Sequence, residues 1–558
     1  MTTQRRVLAA ALGASTVLAG LAAATTPASA DQDGPARSVL VLAENGAQDG
    51  AVRAAITRAG GTVTSVDSAV GLYSVTTTKT RFTADVRDSA AVETAAADRV
   101  VGFSRKPAKA SASDVERLSA ERAQARGKKA PAPSVNTNGE PLAPLQWDMR
   151  MIHTAEAHRI ATGRGVRVGV IDTGVDASHP DIRPNFDFAL SRNFTRDIPD
   201  IDGACSTDPD GSCEDPATVD EGGHGTHVAS TIASPVNGQG IAGVAPEASI
   251  VNLRAGQDSG YFFLEPTVKA LTYAGNNGID VVNMSYYIDP WAFNCANNPA
   301  DSAEEQAQQR LTIEATNRAL RYARGKGVTL VAAAGNSATD LDNPTVDDSS
   351  PDYPEGAAKT RQIDNSCLDL PTEGDHVLTV TSVGPTTRKA YYSSYGLTSV
   401  DVAAPGGDIR DYYGTPQYRK PGNVILAAMP KAVGIAEGDI DPVTGLPTND
   451  FVIKQGDGYY TYLQGTSMAS PHATGVAALI VDRWGHGDPR QGGKALTPNQ
   501  TEKILMRTAT DHACPNPATM VYPGVSAAYT ATCTGTTEFN SFYGDGIVDA
   551  LKAVTKKH

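Results

Sequence analysis

The chain reads as an α/β protein, a parallel sheet with helices on both faces, preceded by a small α+β unit. Three observations predict this. First, apolar runs that suit fully buried strands recur in "GVRVGVIDTG" (165–174), "SIVNLRA" (249–255), "GIDVVNMSY" (278–286), "GVTLVAAAGN" (327–336) and "VLTVTSVG" (377–384). Second, helical patterns lie between several of them, in "EPTVKALTYAGNN" (265–277) and 301–327. Continuous apolar strands alternating with helices indicate a parallel sheet covered on both faces. Third, the chain before residue 105 carries a different order of shorter elements.

Taken in chain order, residues 1–30 read as an export signal. Arg5 and Arg6 precede the apolar "VLAAALGASTVLAGLAAA", and "ASA" (28–30) predicts cutting after Ala30. The Arg pair leaves the twin-arginine route open. No later stretch is apolar for long enough to span a bilayer, so the expected location is extracellular, with no membrane contact after signal removal. Residues 31–105 predict a β-α-β-β-α-β unit of ferredoxin-like type. Its strands are "SVLVLAE" (38–44), two within "TVTSVDSAVGLYSVTT" (62–77), and "RVVGFSR" (99–105). Its helices are "GAVRAAITRAGG" (50–61) and "DSAAVETAAAD" (88–98). Residues 106–143 are rich in Ala, Pro and charge, and read as a linker with one solvated helix in its middle. The larger unit runs from 144 to 558. Late in it, "LTPNQ" (496–500) opens a helix, with Thr497 as cap, Pro498 in the first position and Gln500 reaching back.

Composition narrows the function. The 558 residues carry a net charge of -14, which argues against a nucleic-acid partner, since phosphate contacts need a basic face. Six cysteines in an exported chain suggest disulfides, with fifteen connectivities possible. Short loops favour Cys205–Cys213 and Cys514–Cys533, leaving Cys295–Cys367. No CxxC or HExxH occurs, so zinc has little support.

Three stretches carry candidate chemistry. In "VGVIDTGVDASHPD" (168–181), Asp172 ends an apolar strand, where a carboxylate is nearly buried and needs a partner. In "GGHGTHVAS" (222–230), His224 starts a helical pattern. His224 and His227 are spaced for metal, but no acidic partner follows in a zincin pattern. "GQGIAG" (238–243) matches a dinucleotide fingerprint but follows a helix instead of a strand. In "QGTSMASPHATGVAALI" (464–480), Ser467 is either a helix cap or a nucleophile. Ala469, Ala473 and Ala477 predict a closely packed helix after it. Acyl transfer needs a hydroxyl, an imidazole to activate it and a carboxylate to fix the imidazole, and Asp172, His224 and Ser467 supply these.

Together the three stretches resemble the active-site signatures of the subtilase family of serine peptidases, in that family's order of Asp, His and Ser. The resemblance covers about 144–558, with large insertions. "VTLVAAAGN" (328–336) resembles the family's oxyanion segment, so Asn336 is expected to donate its amide to the oxyanion, with the Ser467 N–H as second donor. An α/β-hydrolase is excluded, because its nucleophile stands in G-x-S-x-G and this one in G-T-S-M-A.

The resemblance implies a subtilisin-like fold and a secreted serine endopeptidase made as a self-processed zymogen. Residues 31–105 would be its inhibitory prodomain, and its mature start would lie between 106 and 144. It implies structural calcium, held by Asp181 and Asn237 side chains and the carbonyls of Pro235, Gln239 and Ile241. The acidic "STDPDGSCEDP" loop (206–216) is a second, weaker ion candidate. "NMSYYIDPW" (283–291) matches the family's strand beside the substrate pocket through Ser285 and then departs. Tyr286, Tyr287 and Ile288 stand where the family has Leu-Gly-Gly, so two rings are expected to narrow the pocket or shape it further out. The substrate-binding set is Ser285, Tyr286, Tyr287, Ala333 and Gly335. Expected partners are polypeptide substrates and the chain's own prodomain, with the enzyme a monomer. A broad degrader and a selective processing enzyme both remain open, beside a catalytically dead peptide-binding scaffold and an esterase.

Overall fold

A computed structural model describes residues 33–98, 114–127, 139–207, 211–354, 356–488 and 492–556. The export signal and the "RVVGFSR" strand lie outside these residues.

The N-terminal unit has the expected β-α-β-β-α-β order, in strands β1 (Asp33–Ala43), β2 (Gly61–Asp67), β3 (Leu72–Lys79) and β4 (Val92–Ala97) and helices α1 (Asp49–Arg58) and α2 (Phe82–Arg87). The antiparallel sheet is ordered β2-β3-β1-β4. One assignment is corrected. The Ala-rich 88–98 stretch is not a helix; its 92–97 part is β4, paired to β1 with Val39 opposite Ala97 and Val41 opposite Ala95. The second helix is α2, just before it. Ala favours helix, but a strand beside β1 completes the sheet, and that tertiary gain overrides propensity. Side chains alternate along β1. Val39 and Val41 face α1 and α2, beside Val52, Ile56, Phe82 and Val86. Leu40 and Leu42 face the other way, into a core shared with the larger unit.

That unit is built on a seven-stranded sheet. Its strands are β5 (Arg167–Ile171), β6 (Arg192–Asn193), β7 (Ser249–Arg254), β8 (Val281–Met284), β9 (Thr329–Ala333), β10 (Leu378–Val383) and β11 (Val402–Pro405). They lie in the order β11-β10-β9-β8-β5-β7-β6, and every pairing is parallel. One face carries α5 (His224–Ala233) and α8 (Thr466–Trp484), in one core with Val168, Val281 and Val380. The other carries α6 (Leu264–Asn276) and α7 (Ala303–Gly325), in a core with Val282 and Leu330. Ser302 and Glu305 form a capping box on α7. Thr497 and Gln500 form the expected one on α9 (Pro498–Thr508).

The large insertion after β11 folds as a second, antiparallel sheet of β12 (Ile425–Ala428), β13 (Val452–Gln455) and β14 (Gly458–Leu463). Both cysteine pairings favoured by loop length occur, Cys205–Cys213 and Cys514–Cys533, and so does the remaining pair, Cys295–Cys367. Among the described residues no helix is long and apolar enough to cross a membrane.

The small unit sits on the outer surface of α6 and α7. Leu40, Leu42, Val70, Leu72 and Ala96 join one apolar cluster with Leu271, Ala315 and Ala319. Polar groups fix the register of this contact. Arg318 donates to the carbonyls of Ala43 (2.8 Å) and Val70 (3.2 Å) and pairs with Glu93. Ser65 and Ser74 both donate to Glu265 near the start of α6.

Candidate active site

The parallel sheet delivers three site segments from the carboxyl ends of adjacent strands, where functional groups gather in such folds. Asp172 follows β5, Ser285 follows β8, and Gly335 and Asn336 follow β9. His224 is the first residue of α5 and Ser467 lies in the first turn of α8.

Two close approaches explain the glycines around His224 and Asn336. A β-carbon on Gly225 would lie 2.0 Å from the Gly174 carbonyl oxygen and 2.9 Å from Asp172 Cβ, so only glycine lets α5 press against the end of β5. Gly335 has φ +93°, a left-handed conformation that turns the chain out of β9 and aims Asn336 into the cleft.

His224 Nδ1 lies 2.7 Å from Asp172 Oδ1, which also accepts the Thr173 N–H at 2.8 Å. Asp172 is fully buried. Asn336 Oδ1 accepts both the N–H and the hydroxyl of Thr466 at 2.9 Å, which fixes the amide so that Nδ2 faces the site. Ser467 is buried. Pro471, inside α8, lacks the N–H that would bond the Ser467 carbonyl, and Ser285 Oγ supplies that bond instead at 3.1 Å. Ser285 therefore steadies the nucleophile's backbone.

The segment read as a linker with one solvated helix is docked where it is described, with Glu116, Leu118 and Ala125 buried. Residues Asp114–Arg117 (α3) and Ser119–Ala125 (α4) are helical, joined at Leu118, and lie in the cleft. Glu116 reaches the catalytic groups. Its Oε1 accepts the Ser467 hydroxyl at 2.5 Å and Asn336 Nδ2 at 2.7 Å, and its Oε2 lies 3.6 Å from His224 Nε2. One oxygen thus receives both the nucleophile's proton and the amide donor, at the point where an oxyanion would form. The rest of the segment is anchored on the insertion sheet. Leu118 is buried beside Val424, Leu426 and Tyr462. Arg122 donates to the Thr461 hydroxyl (2.7 Å) and the Tyr462 carbonyl (2.8 Å), and Gln464 donates to the Val115 carbonyl (2.9 Å). Sequence reasoning missed this docking because charge density suggested solvation, whereas Arg117 and Arg122 find Glu437 and Asp439 on the insertion.

Burial alone would depress the His224 pKa, but Asp172, then Glu116 and Asp220, outweigh it and carry it up to about 9. The covered site therefore holds an imidazolium at neutral pH. His227, by contrast, is desolvated with its Nε2 3.2 Å from the carbonyls of Ile425 and Thr461, and its pKa falls to about 3. It is a core residue, and metal binding at the His224–His227 pair has no support.

Of the remaining expected substrate residues, Ala333 and Gly335 line the turn toward Asn336. Tyr286 is a core residue, its ring stacked on Phe262 with centroids 4.1 Å apart. It does not narrow the cleft. Tyr287 is 39% exposed and its hydroxyl donates to Asp352 at 2.5 Å.

The expected calcium ligands come together, but with the wrong polarity. Asp181 accepts the Ile241 N–H (2.9 Å), the Tyr460 hydroxyl (2.8 Å) and the Asn237 amide (3.2 Å). Gly238 N–H goes to Glu140, Gln239 N–H to Asn237 Oδ1 and Gly240 N–H to Gln455. The 235–241 loop turns its donors inward to carboxylate and amide oxygens, whereas a hard cation needs converging acceptors. With their side-chain oxygens bonded to protein donors, Asp181 and Asn237 do not fit calcium as arranged here. The acidic loop contributes Asp215 to a cluster with Asp197 and Asp258, but fully buried Arg254 already stands among them as counter-charge.

Comparison with known proteins agrees with this geometry. A model of the subtilase family matches residues 163–546. M-protease from Shouchella clausii (strain KSM-K16) is 29% identical over 60% of this chain, which spans 59% of that protein's length. Subtilisin BL from Lederbergia lenta is 28% identical over 60% of this chain and 84% of its own. Among solved structures, the epidermin leader peptide processing serine protease of Staphylococcus aureus shares the fold with TM-score 0.61, 20% identity and coverage of 94% of this chain and 100% of that one. Fervidolysin from Fervidobacterium pennivorans gives TM-score 0.55, 21% identity, and coverage of 94% and 62%. With the family model spanning well over half of its length, the chain belongs to the subtilase family of serine peptidases.

Proposed function

We propose that the protein is a secreted serine endopeptidase, made as a zymogen that removes its own N-terminal part. The observation that carries the activity is one point in space. Ser467 Oγ and Asn336 Nδ2 converge on a single oxygen, beside an imidazole held at 2.7 Å by Asp172.

The roles follow from that geometry. With Glu116 withdrawn, neutral His224 takes the Ser467 proton as the hydroxyl attacks the scissile carbonyl. Asp172 fixes the ring and stabilises the imidazolium. Asn336 and the Ser467 N–H hold the oxyanion, with the positive end of α8 beside them. His224 then protonates the leaving amine, and water hydrolyses the acyl-enzyme.

The zymogen reading is supported by the N-terminal unit seated on α6 and α7 and by Glu116 in the cleft. The domain limits proposed are signal 1–30, prodomain 31–105, connecting segment 106–143 and catalytic domain 144–558, acting as a monomer on polypeptides outside the cell. The second reading, a selective processing enzyme, is favoured by Tyr287, whose half-exposed ring is tied to Asp352 beside the cleft.

Labelling by an organophosphonate tests the activity. Matured protein is expected to carry the label on Ser467 and to cleave peptides as well as matched esters of the same acyl group, with both activities lost in the Ser467→Ala protein. An unlabelled Ser467 with no peptide cleavage would make the chain a binding scaffold.

A further inference from the structure

The cleft contains a carboxyl group that the catalytic roles above do not use. Asp369 lies in "CLDLPTEGD" (367–375), immediately before the segment that closes the space between two site walls. One wall is 285–288, after β8, and Leu370 is bonded to it, its carbonyl accepting the Ile288 N–H at 2.8 Å. The other is 333–336, after β9, and Thr372 is bonded to it, its hydroxyl donating to the Ala333 carbonyl at 2.7 Å. Both walls also touch the nucleophile's turn. Ser467 Oγ lies 3.4 Å from the Ser285 carbonyl, and the Gly335 N–H donates to Thr466 Oγ1 at 3.1 Å.

Between these walls stands the Asp369 carboxyl. A β-carbon on Gly335 would lie 3.4 Å from Asp369 Oδ2, so the missing side chain at Gly335 leaves the carboxyl facing the space beside the oxyanion residue. Oδ1 is buried and finds no donor among the described residues. The Asp369 N–H is spent on Glu373 Oε2 at 2.9 Å, which adds a second negative group behind it. Burial, then Glu373 and Asp347, hold the Asp369 carboxyl well above the usual carboxylate range. Asp289 and Asp352 stand beside Tyr287 at the end of the first wall. A buried carboxyl oxygen without a donor, as Oδ1 is, is costly unless something charged completes it. No Lys or Arg of the described chain is bonded to it.

We propose that Asp369 is a specificity-determining residue that selects Lys or Arg immediately before the scissile bond. This rests on the peptidase reading above. An acyl group on Ser467, its carbonyl oxygen at Asn336, sends the side chain of that residue between 285–288 and 333–336 toward Asp369. A long cationic side chain reaches the carboxyl, ionises it and replaces the missing donor. An apolar side chain of the same length leaves it unpaired.

The test is kcat/KM of the matured protein on a peptide series that differs only in the residue before the cleaved bond, with Arg, Lys, Gln, Leu and Phe compared. Ser467 labelling is measured first on the same sample. Arg and Lys are expected to exceed Leu and Phe by at least tenfold. Asp369→Asn, equal in size, is expected to lower the ratio of Arg to Leu by about a hundredfold, and Asp369→Glu to restore much of it. A wild-type preference for Leu or Phe overturns the proposal while leaving the peptidase reading intact, and so does an Asn variant that loses Arg and Leu cleavage in equal measure. Should neither variant fold, the wild-type series alone decides. Absence of both labelling and cleavage overturns this proposal and the peptidase reading together.

Discussion

Asp172, His224, Ser467 and Asn336 stand on strand ends and helix starts whose neighbours are buried almost without exception, in a parallel sheet with a core on each face. Glu116 reaches the same point from a helical turn of four residues, in a segment held by buried Leu118, by hydrogen bonds of Arg122 and Gln464 and by the ion pairs of Arg117, Glu121 and Arg122. The first region is over-determined: each catalytic side chain is fixed by at least one hydrogen bond from another element. The second region is a short segment whose hold depends on charge. The contrast teaches which half of the closed site is built to last and which is built to leave. Partly exposed pairs such as Arg117–Glu437 contribute little each, and so short a segment can be released without unfolding the sheet.

The largest effect sharpens the rigid side. Ser467→Ala removes one hydroxyl from a helix whose packing rests on Ala469, Ala473 and Ala477, so the fold is expected to persist. Peptide cleavage is expected to fall by about 10⁶-fold, the size known for this group in a subtilisin. In a host lacking other secreted proteases, the mutant is expected to keep its prodomain, residues 31–105, attached, as read by intact mass and N-terminal sequencing. Maturation to the wild-type start in that host would assign the cutting to another protease.

Asn336→Ala comes next. The fixed amide is lost but the backbone donor remains, so kcat is expected to fall by about 10²–10³ with KM little changed, again the magnitude known for this donor in a subtilisin. A change confined to KM would place Asn336 in binding instead of in transition-state stabilisation.

The docked segment is tested by Glu116→Gln. A hydrogen bond to a charged group contributes about 1.5–3 kcal/mol, so removing the charge is expected to speed self-processing by roughly tenfold or more. The pH dependence has a definite sign. His224 has its pKa raised to about 9 in the covered state from an ordinary 6.5. Asp172 stays beside the imidazole when the segment leaves, so only the part of this rise that Glu116 supplies stabilises the covered state; it is present while His224 is protonated and is lost as pH rises through about 9. Self-processing of the wild-type chain is expected to accelerate across this window. In Glu116→Gln the acceleration should begin at lower pH, because one of the two carboxylates nearest the imidazole is neutral. Identical pH profiles for the two proteins would show that Glu116 does not hold the segment.

The same contrast explains what the sequence shows. The strands of the parallel sheet are continuous apolar runs, and Asp172 and Asn336 at strand ends and His224 and Ser467 at helix starts sit in local patterns that persist whatever surrounds them. Capping boxes at Ser302 and Thr497 are equally local. The misread parts all depend on a partner far along the chain. Residues 92–97 form a strand only because β1 offers an edge. The 114–125 segment docks only because Glu437 and Asp439, more than three hundred positions later, meet its arginines. Asp369 lies between two leucines and gives no signal of a cleft residue until β8 and β9 bring the walls together. Tyr286 looks like a pocket residue beside Ser285, yet Phe262 draws it into the core.

The smallest expected effect concerns Asp181 and bears on how closely a local pattern fixes a ligand. The letters around Asp181 and 235–241 match a calcium-binding arrangement, but Glu140, Gln455 and Tyr460 come from outside the pattern and change its polarity. Tyr460 fills the space beside Gly240, where a β-carbon would lie 1.9 Å from its hydroxyl oxygen, and it donates to Asp181 Oδ2. Burial raises the Asp181 pKa to about 6, against the lowering effect of those donors. Since that value lies above the ordinary carboxylate pKa, the folded form of this group loses stability as pH rises from about 4 through 6, where a calcium ligand would gain it. A resident ion at a hundredfold excess over its Kd would contribute about 2.7 kcal/mol and move the Tm by several degrees. Excess chelator is therefore expected to shift the Tm of the wild-type protein by less than about 1 °C, with Asp181→Asn unfolding at nearly the same temperature. A fall of about 5 °C in the wild type that disappears in Asp181→Asn would place an ion at this loop and show that its donors turn outward when one binds.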